Sequence, residues 1–253
     1  MSSNGDIREN FERRRKRSLV VEVRDELERM ILCGEVGAGE HLNEYTLAEQ
    51  MGVSRAPVRE AARSLERDGL VTTVANRGAF VRELSVTDVL ELYDLRAMIA
   101  GYLCARVAEC ASESILRELR DFVDCMDRAL TVGDQEGYFA LNLEFHDRIA
   151  AYPETGRAGA LYIALGKEVR LFRHRVLSGQ ESLAVSNSEH DKIVTAIEAR
   201  DVQAARCAGS EHHLNGKRRL EERLRTFGIG VDEPWARHTS DTRDIDVALT
   251  RST

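Results

Sequence analysis

Between Thr46 and Arg82 the chain changes its periodicity three times with almost no connecting residues, and this compression leaves few folds open. Thr46-Leu47-Ala48-Glu49 has the form of a capping box, in which the Thr and Glu side chains satisfy each other's orphan amides. A helix of about two turns is expected to open there and to stop at Gly52. A further helix is expected from Ser54, with Pro57 in its first turn, where a missing N–H costs no intrahelical bond. Its inward face is Val58, Ala61, Ala62 and Leu65. Two β-prone runs follow, Leu70–Val74 and Ala79–Arg82, and Ala75-Asn76-Arg77-Gly78 between them is hairpin turn chemistry. Upstream, Leu19, Val20, Val23, Leu27, Met30 and Ile31 recur at helical spacing and end at Gly34, a left-handed cap position. Three helices and a hairpin make a winged helix-turn-helix.

From Ser85 the strand signals cease. Helical periodicity then predicts helices near 88–110, 113–132, 135–151, 158–178, 187–199 and 202–227, an all-α bundle. The fold class expected is mainly α. An N-terminal winged helix-turn-helix over 18–84 precedes a helical bundle over 85–228. A basic flexible arm is expected at 1–17 and an extended tail at 229–253, where no periodic apolar face exists. No apolar run reaches the ~18–20 residues of a membrane span, and no apolar core follows the basic N-terminal stretch as a secretory signal would require. A cytoplasmic protein without membrane contact is therefore expected. Five scattered cysteines without a C-x-x-C pair argue for reduced thiols over disulfides or zinc knuckles.

The net charge of -7 would ordinarily speak against a nucleic-acid partner. It is unevenly spread: residues 51–82 carry six Arg against three acids. What a polyanion meets is the contacting face, not the global sum. On the third helix Arg55, Arg59 and Arg63 lie at i, i+4 and i+8, opposite the apolar residues, so three guanidinium groups share one solvent face. A helix of this diameter fits the major groove, where Arg bonds guanine O6 and N7 in pairs. Ser54 and its neighbouring amides can meet a phosphate, and Arg77 with Gly78 at the wing turn adds a cation for the minor groove or backbone. Double-stranded operator DNA is the partner expected.

In the helical region Asn142 and His146 project from one helix face at i and i+4. His190 and His212 are separated by a helix break near Arg200-Asp201, so two antiparallel helices would bring their rings together. Three neutral imidazoles and an oxygen donor suit a divalent ion (Zn, Ni, Mn or Fe) with positions left open for water or a carboxylate. His213 is the alternative to His212. Arg170, Arg173, His174 and Arg175 read as a mixed basic face on an exposed helix.

Gly39-Glu-His-Leu-Asn-Glu44, Leu47-Ala-Glu49, Gly52-Val-Ser-Arg-Ala-Pro-Val-Arg-Glu-Ala61, Leu65-Glu-Arg-Asp-Gly-Leu-Val71 and Asn76-Arg-Gly-Ala-Phe-Val81 resemble the GntR family of bacterial transcription regulators. The resemblance implies that Arg55 and Arg59, and Gly78 with its neighbours, contact operator DNA. A basic residue that some members carry early in helix two is Tyr45 here. Residues 88–220 resemble the FCD effector domain of the FadR subfamily, in which one Asp and three His hold a divalent ion. The matching histidines are His146, His190 and His212, and the Asp position is Asn142. Arg96 matches an arginine near the cavity and is expected to pair with an effector carboxylate; the acid common four residues on is Ala100. The function expected is a homodimeric, ligand-responsive regulator, a repressor in the commoner mode, and not an enzyme. Two alternatives stand beside it: a metal-dependent hydrolase, and a constitutive DNA-binding protein with a vestigial, metal-free cavity.

Overall fold

The computed structural model describes the backbone of residues 4–152, 156–173 and 180–226 and the side chains of 18–152, 156–171 and 182–226. The chain divides into two compact units between Ser85 and Val86. Residues 229–253, expected to form a tail, lie outside the described residues.

The first unit holds α1 (Asn4–Leu32), α2 (Glu44–Gln50), α3 (Arg55–Arg67), β1 (Val71–Val74) and β2 (Gly78–Val81). α1 is longer than the apolar periodicity indicates. It begins at Asn4, so the stretch read as a flexible arm is helical from there. Arg, Glu and Lys dominate residues 8–17 and no Pro interrupts them, so intrinsic propensity carries the helix where no apolar face does. α1 ends at Gly34, whose φ of +75° is left-handed, and the following amide returns to the Met30 carbonyl.

The start of α2 differs from the expected capping box. Asn43 is the N-cap, its Oδ1 accepting from the Tyr45 and Thr46 amides (3.0 and 3.2 Å), so Thr46 is already inside the first turn. Asn is among the strongest N-caps, and it opens the helix three positions before the competing Thr46 would. α3 runs as expected from an N-cap at Ser54, with Val58, Ala61, Ala62 and Leu65 buried against Val23, Leu27 and Ile31 of α1. Arg24 of α1 bonds Asp68 just past α3 (2.6 Å). β1 and β2 pair antiparallel, Val71 opposite Val81 and Val74 opposite Gly78. The Glu40–Leu42 backbone extends the ladder on the β2 side, Leu42 donating to Ala79 (2.8 Å). At Gly78 φ is +95°, and a Cβ there would stand 2.6 Å from His41 Nε2, so the turn requires glycine twice over.

The second unit is all helical among the described residues: α4 (Val86–Cys110), α5 (Glu113–Val132), α6 (Gln135–Ala151), α7 (Gly156–Arg173), α8 (Gln180–Glu198) and α9 (Val202–Thr226). Its core is built from Leu103, Val107, Leu119, Met126, Tyr138, Phe145, Ile193, Val194 and Ile197. α9 packs on α4 and α8. A Cβ on Gly209 would come within 3.0 Å of the Ala100 carbonyl, so a side chain there would push α4 and α9 apart. Arg200, with φ of +56°, reverses the chain between α8 and α9, and Asp201 Oδ1 accepts from the Ala204 amide to start α9 (2.9 Å). His190 lies ~12 Å before the end of α8 and His212 ~15 Å after the start of α9 at 1.5 Å per residue, so the reversal brings both to one level. No described helix is long and apolar enough to cross a membrane.

Candidate nucleic-acid interface and histidine-lined cavity

In the first unit Ser54, Arg55, Arg59, Arg63, Arg77 and Gly78 are all solvent-exposed. Ser54 makes no side-chain cap bond, which leaves the first amides of α3 to another acceptor. Arg77 lies 5.6 Å from the Phe80 ring centroid, and Phe80 in turn lies against His41 (centroids 4.9 Å apart), so the wing cation is braced by an aromatic pair. The sequence reading did not single out Glu44. Its carboxylate accepts from Arg59 Nε (2.9 Å) and Nη2 (2.7 Å) and from Arg55 Nη2 (3.2 Å). The Arg59 bonds, aided by Arg55, hold the Glu44 carboxyl below its ordinary value against a smaller opposing effect of burial. With the N-cap at Asn43, Glu44 is the first residue of α2 and faces the recognition helix. Knowing that cap was the signal needed to find it.

In the second unit α6 delivers Asn142 and His146, α8 delivers His190, and α9 delivers His212 and His213; all five are buried. One ring nitrogen from each of His146, His190 and His212 can be chosen so that the three lie within 4.8 Å of one another. Their ring centroids are 4.5–5.1 Å apart. On two of the rings the other nitrogen is occupied from behind. His212 Nδ1 bonds Glu189 Oε2 (2.9 Å), and His146 Nδ1 lies 3.2 Å from the Tyr162 hydroxyl. Such outer partners fix the tautomer that leaves Nε2 facing inward. Burial opposes ionisation of Glu189, but bonds from His212 and Arg219 outweigh it and bring its pKa to about 2. Burial, reinforced by His212 and His190, pushes His146 well below its ordinary value, so the ring is neutral. Tyr162 is pushed up to about 12, chiefly by burial, and remains a hydroxyl. His146 is therefore in the protonation state a divalent ion requires.

His146, Tyr162, His212 and His213 line a cavity of about 110 Å³. Arg96 of α4 also lines it, half-buried, its guanidinium 4.4 Å from the Tyr162 ring centroid. Asn142 lines it one helical turn before His146. Two expectations change. His213, read only as a substitute for His212, joins the cluster through Tyr162, whose hydroxyl is 2.8 Å from its Nε2. Arg170, assigned to an exposed basic face, lines the cavity, because Tyr162, Gly166 and Arg170 recur every four residues along α7. His174 and Arg175, and the side chain of Arg173, lie outside the described residues. Tyr162 carried no sequence signal, since a lone aromatic on a mixed helix does not announce which polar group its hydroxyl will meet.

A winged helix-turn-helix head in one chain with an all-α unit is the build of a DNA-binding transcription regulator. Residues 19–81 match the model of the bacterial regulatory proteins of the gntR family, and residues 91–215 match the FCD domain. An HTH-type transcriptional regulator from an unstable DNA locus of Streptomyces ambofaciens is 33% identical over 187 residues, 74% of this chain and 78% of that protein. The probable D-xylose utilization operon transcriptional repressor of Paenarthrobacter nicotinovorans is 29% identical over 191 residues, 76% of this chain and 84% of that one. Among solved structures, a putative GntR transcriptional regulator from Rhodococcus sp. RHA1 superposes with a TM-score of 0.66 at 26% identity, covering 81% of this chain and 98% of that one. The chain belongs to the GntR family of bacterial transcription regulators and carries an FCD domain. Its relatives are regulators, not hydrolases.

Proposed function

We propose that this regulator is a ligand-responsive repressor that binds a palindromic operator as a homodimer. Arg55, Arg59 and Arg63 enter the major groove, the amides behind Ser54 take a phosphate, and Arg77 and Gly78 bring the wing against the duplex. In the helical unit His146, His190 and His212, with Asn142, hold a divalent ion, and Arg96 receives the carboxylate of a small effector. The ion supplies a Lewis-acidic centre with positions open to a carboxylate. The observation that carries this reading is the buried trio of imidazoles, with ligand nitrogens within 4.8 Å of one another, two of which, His146 and His212, line a cavity that Arg96 also lines. Repression is supported by the name of the xylose-operon relative. Dimerisation is supported by Leu95, Met98 and Tyr102, which form an exposed apolar stripe on one face of α4 that a second copy would cover.

Effector binding alters operator affinity only if it favours one arrangement of the dimer over another. The test is fluorescence anisotropy on the protein's own promoter and on random duplex, across a panel of short carboxylic acids, with metal content measured on untagged protein. Promoter preference and its loss with one acid are the expected results. Equal binding to both duplexes rejects the DNA-reading assignment. A saturating acid that leaves promoter affinity unchanged rejects the coupling, and promoter preference without stoichiometric metal rejects the metal centre.

A further inference from the structure

We infer that the ion and the small carboxylate bind at this site as a unit, each held weakly without the other, because the chain supplies the ion no anionic ligand. The inference rests on the metal reading above and deepens it. Its starting point is a charge inventory of the described residues. The donor set is neutral throughout: three imidazoles from His146, His190 and His212, and the amide of Asn142. Glu189, the buried carboxylate next to the cluster, is already answered by Arg219, which donates to both of its oxygens (2.7 and 3.0 Å). Asn215 (2.9 Å) and His212 (2.9 Å) also bond it, so its charge is shared. Asp147 also lines the cavity, but it is solvent-exposed and has Arg170, Arg96 and Lys167 around it.

A dication placed among neutral donors beside Arg96 has no anionic ligand, and the Glu189 charge behind His212 is shared with Arg219, so its charge is poorly compensated and costly to bury. A carboxylate without the ion meets Arg96 but gains no inner ligand. Bound together, the carboxylate supplies the missing negative charge to the ion and a bidentate acceptor to the guanidinium. By linkage, whatever factor the anion adds to metal affinity the metal must add to anion affinity.

The experiment uses the full-length protein in a carboxylate-free sulfonate buffer. Zn²⁺ affinity is measured by competition with a chromophoric chelator, first with Zn²⁺ alone and then in saturating acetate. At least about tenfold tighter zinc binding in acetate is expected, together with an equal gain in acetate affinity in the presence of zinc. Asn142→Asp builds a carboxylate into the site. It is expected to raise zinc affinity in the absence of acetate by about tenfold or more and to shrink the acetate effect, with thermal melts checking that the variant folds. Wild-type zinc binding that is tight and indifferent to acetate overturns the interdependence while leaving the metal site standing. Absence of zinc binding under either condition, by wild type and by Asn142→Asp alike, overturns the metal reading itself. An Asn142→Asp protein that folds and binds zinc no better than wild type overturns the charge argument, even if acetate enhances zinc binding.

Discussion

The DNA-reading head and the helical unit treat their polar residues in opposite ways. In the head the functional side chains stand on the surface of a small apolar core, and Arg55 and Arg59 keep 59% and 50% of their side-chain exposure while paired to Glu44. In the helical unit the polar cluster is inside, with His190 fully buried and Phe145 packed against both His146 and His190. An exposed site can change residue by residue without disturbing its scaffold, because water satisfies whatever is left. A buried site shares its walls with the core, so geometry, stability and ligand affinity move together.

The sharpest way to break this contrast is to empty the core behind the histidine cluster. Phe145 is fully buried, with ring centroids 4.9 Å from His190 and 5.3 Å from His146. Phe145→Ala is expected to cost the helical unit about 3–5 kcal/mol in urea denaturation, from lost transfer free energy and the residual cavity. The imidazoles should also lose their alignment, so zinc affinity falls with stability. A loss below about 1 kcal/mol would show that packing does not hold the cluster. Arg59→Ala is the counterpart in the head. Promoter affinity should fall about tenfold to a hundredfold and base preference at one position should relax, while the denaturation curve stays within about 0.5 kcal/mol of wild type. Unchanged promoter selectivity would remove Arg59 from the interface.

The same contrast explains how much could be read from the sequence. The head is encoded locally: α3, its inward face and the hairpin each occupy fewer than twenty consecutive residues, and propensity with turn chemistry suffices to find them. Its two misreadings were the arm, which is helical from Asn4, and the cap of α2, where two cap-competent residues stand three positions apart and Asn43 prevailed over Thr46. The cavity is encoded non-locally. Asn142 and His146 were legible because i and i+4 share a face, and His190 with His212 because the reversal at Arg200 sits nearly midway between them. Tyr162, Arg170, Arg219 and the Tyr162–His213 bond depend on how α7 and α9 rotate in the bundle. That rotation is fixed by packing against α4, α6 and α8, and no single helix records it.

A smaller effect in the head tests whether its scaffold is as indifferent as the contrast requires. Gly78→Ala forces a left-handed φ of +95° on a residue with a side chain and brings its Cβ to 2.6 Å from His41 Nε2. The wing should lose about 1 kcal/mol or more, read by hydrogen exchange of the β1–β2 amides. Promoter affinity should fall severalfold, because Arg77 loses its fixed anchor. Unchanged exchange would mean that His41 yields and the turn tolerates a Cβ.

The finest test concerns Glu44, which breaks the rule that the exposed site is free of internal constraint. Its carboxylate occupies the Arg59 edge made by Nε and Nη2 and also takes a bond from Arg55, so two effects oppose. The pairing lowers the charge that the face offers to phosphates, yet it fixes the Arg59 fork so that the remaining N–H groups point in one direction. Exposed pairs of this kind contribute little to folding, so Glu44→Gln should leave stability unchanged. Removing the charge should strengthen binding to random duplex at low salt by about fivefold or less, since the face becomes more cationic. Freeing the guanidinium groups should at the same time lower the ratio of promoter to random binding. In an Arg59→Ala background the change in that ratio should largely disappear, because the fork it positions is gone. If the ratio holds while both affinities rise together, Glu44 acts on the interface only through its charge, and the arginine face is as unconstrained as its exposure implies.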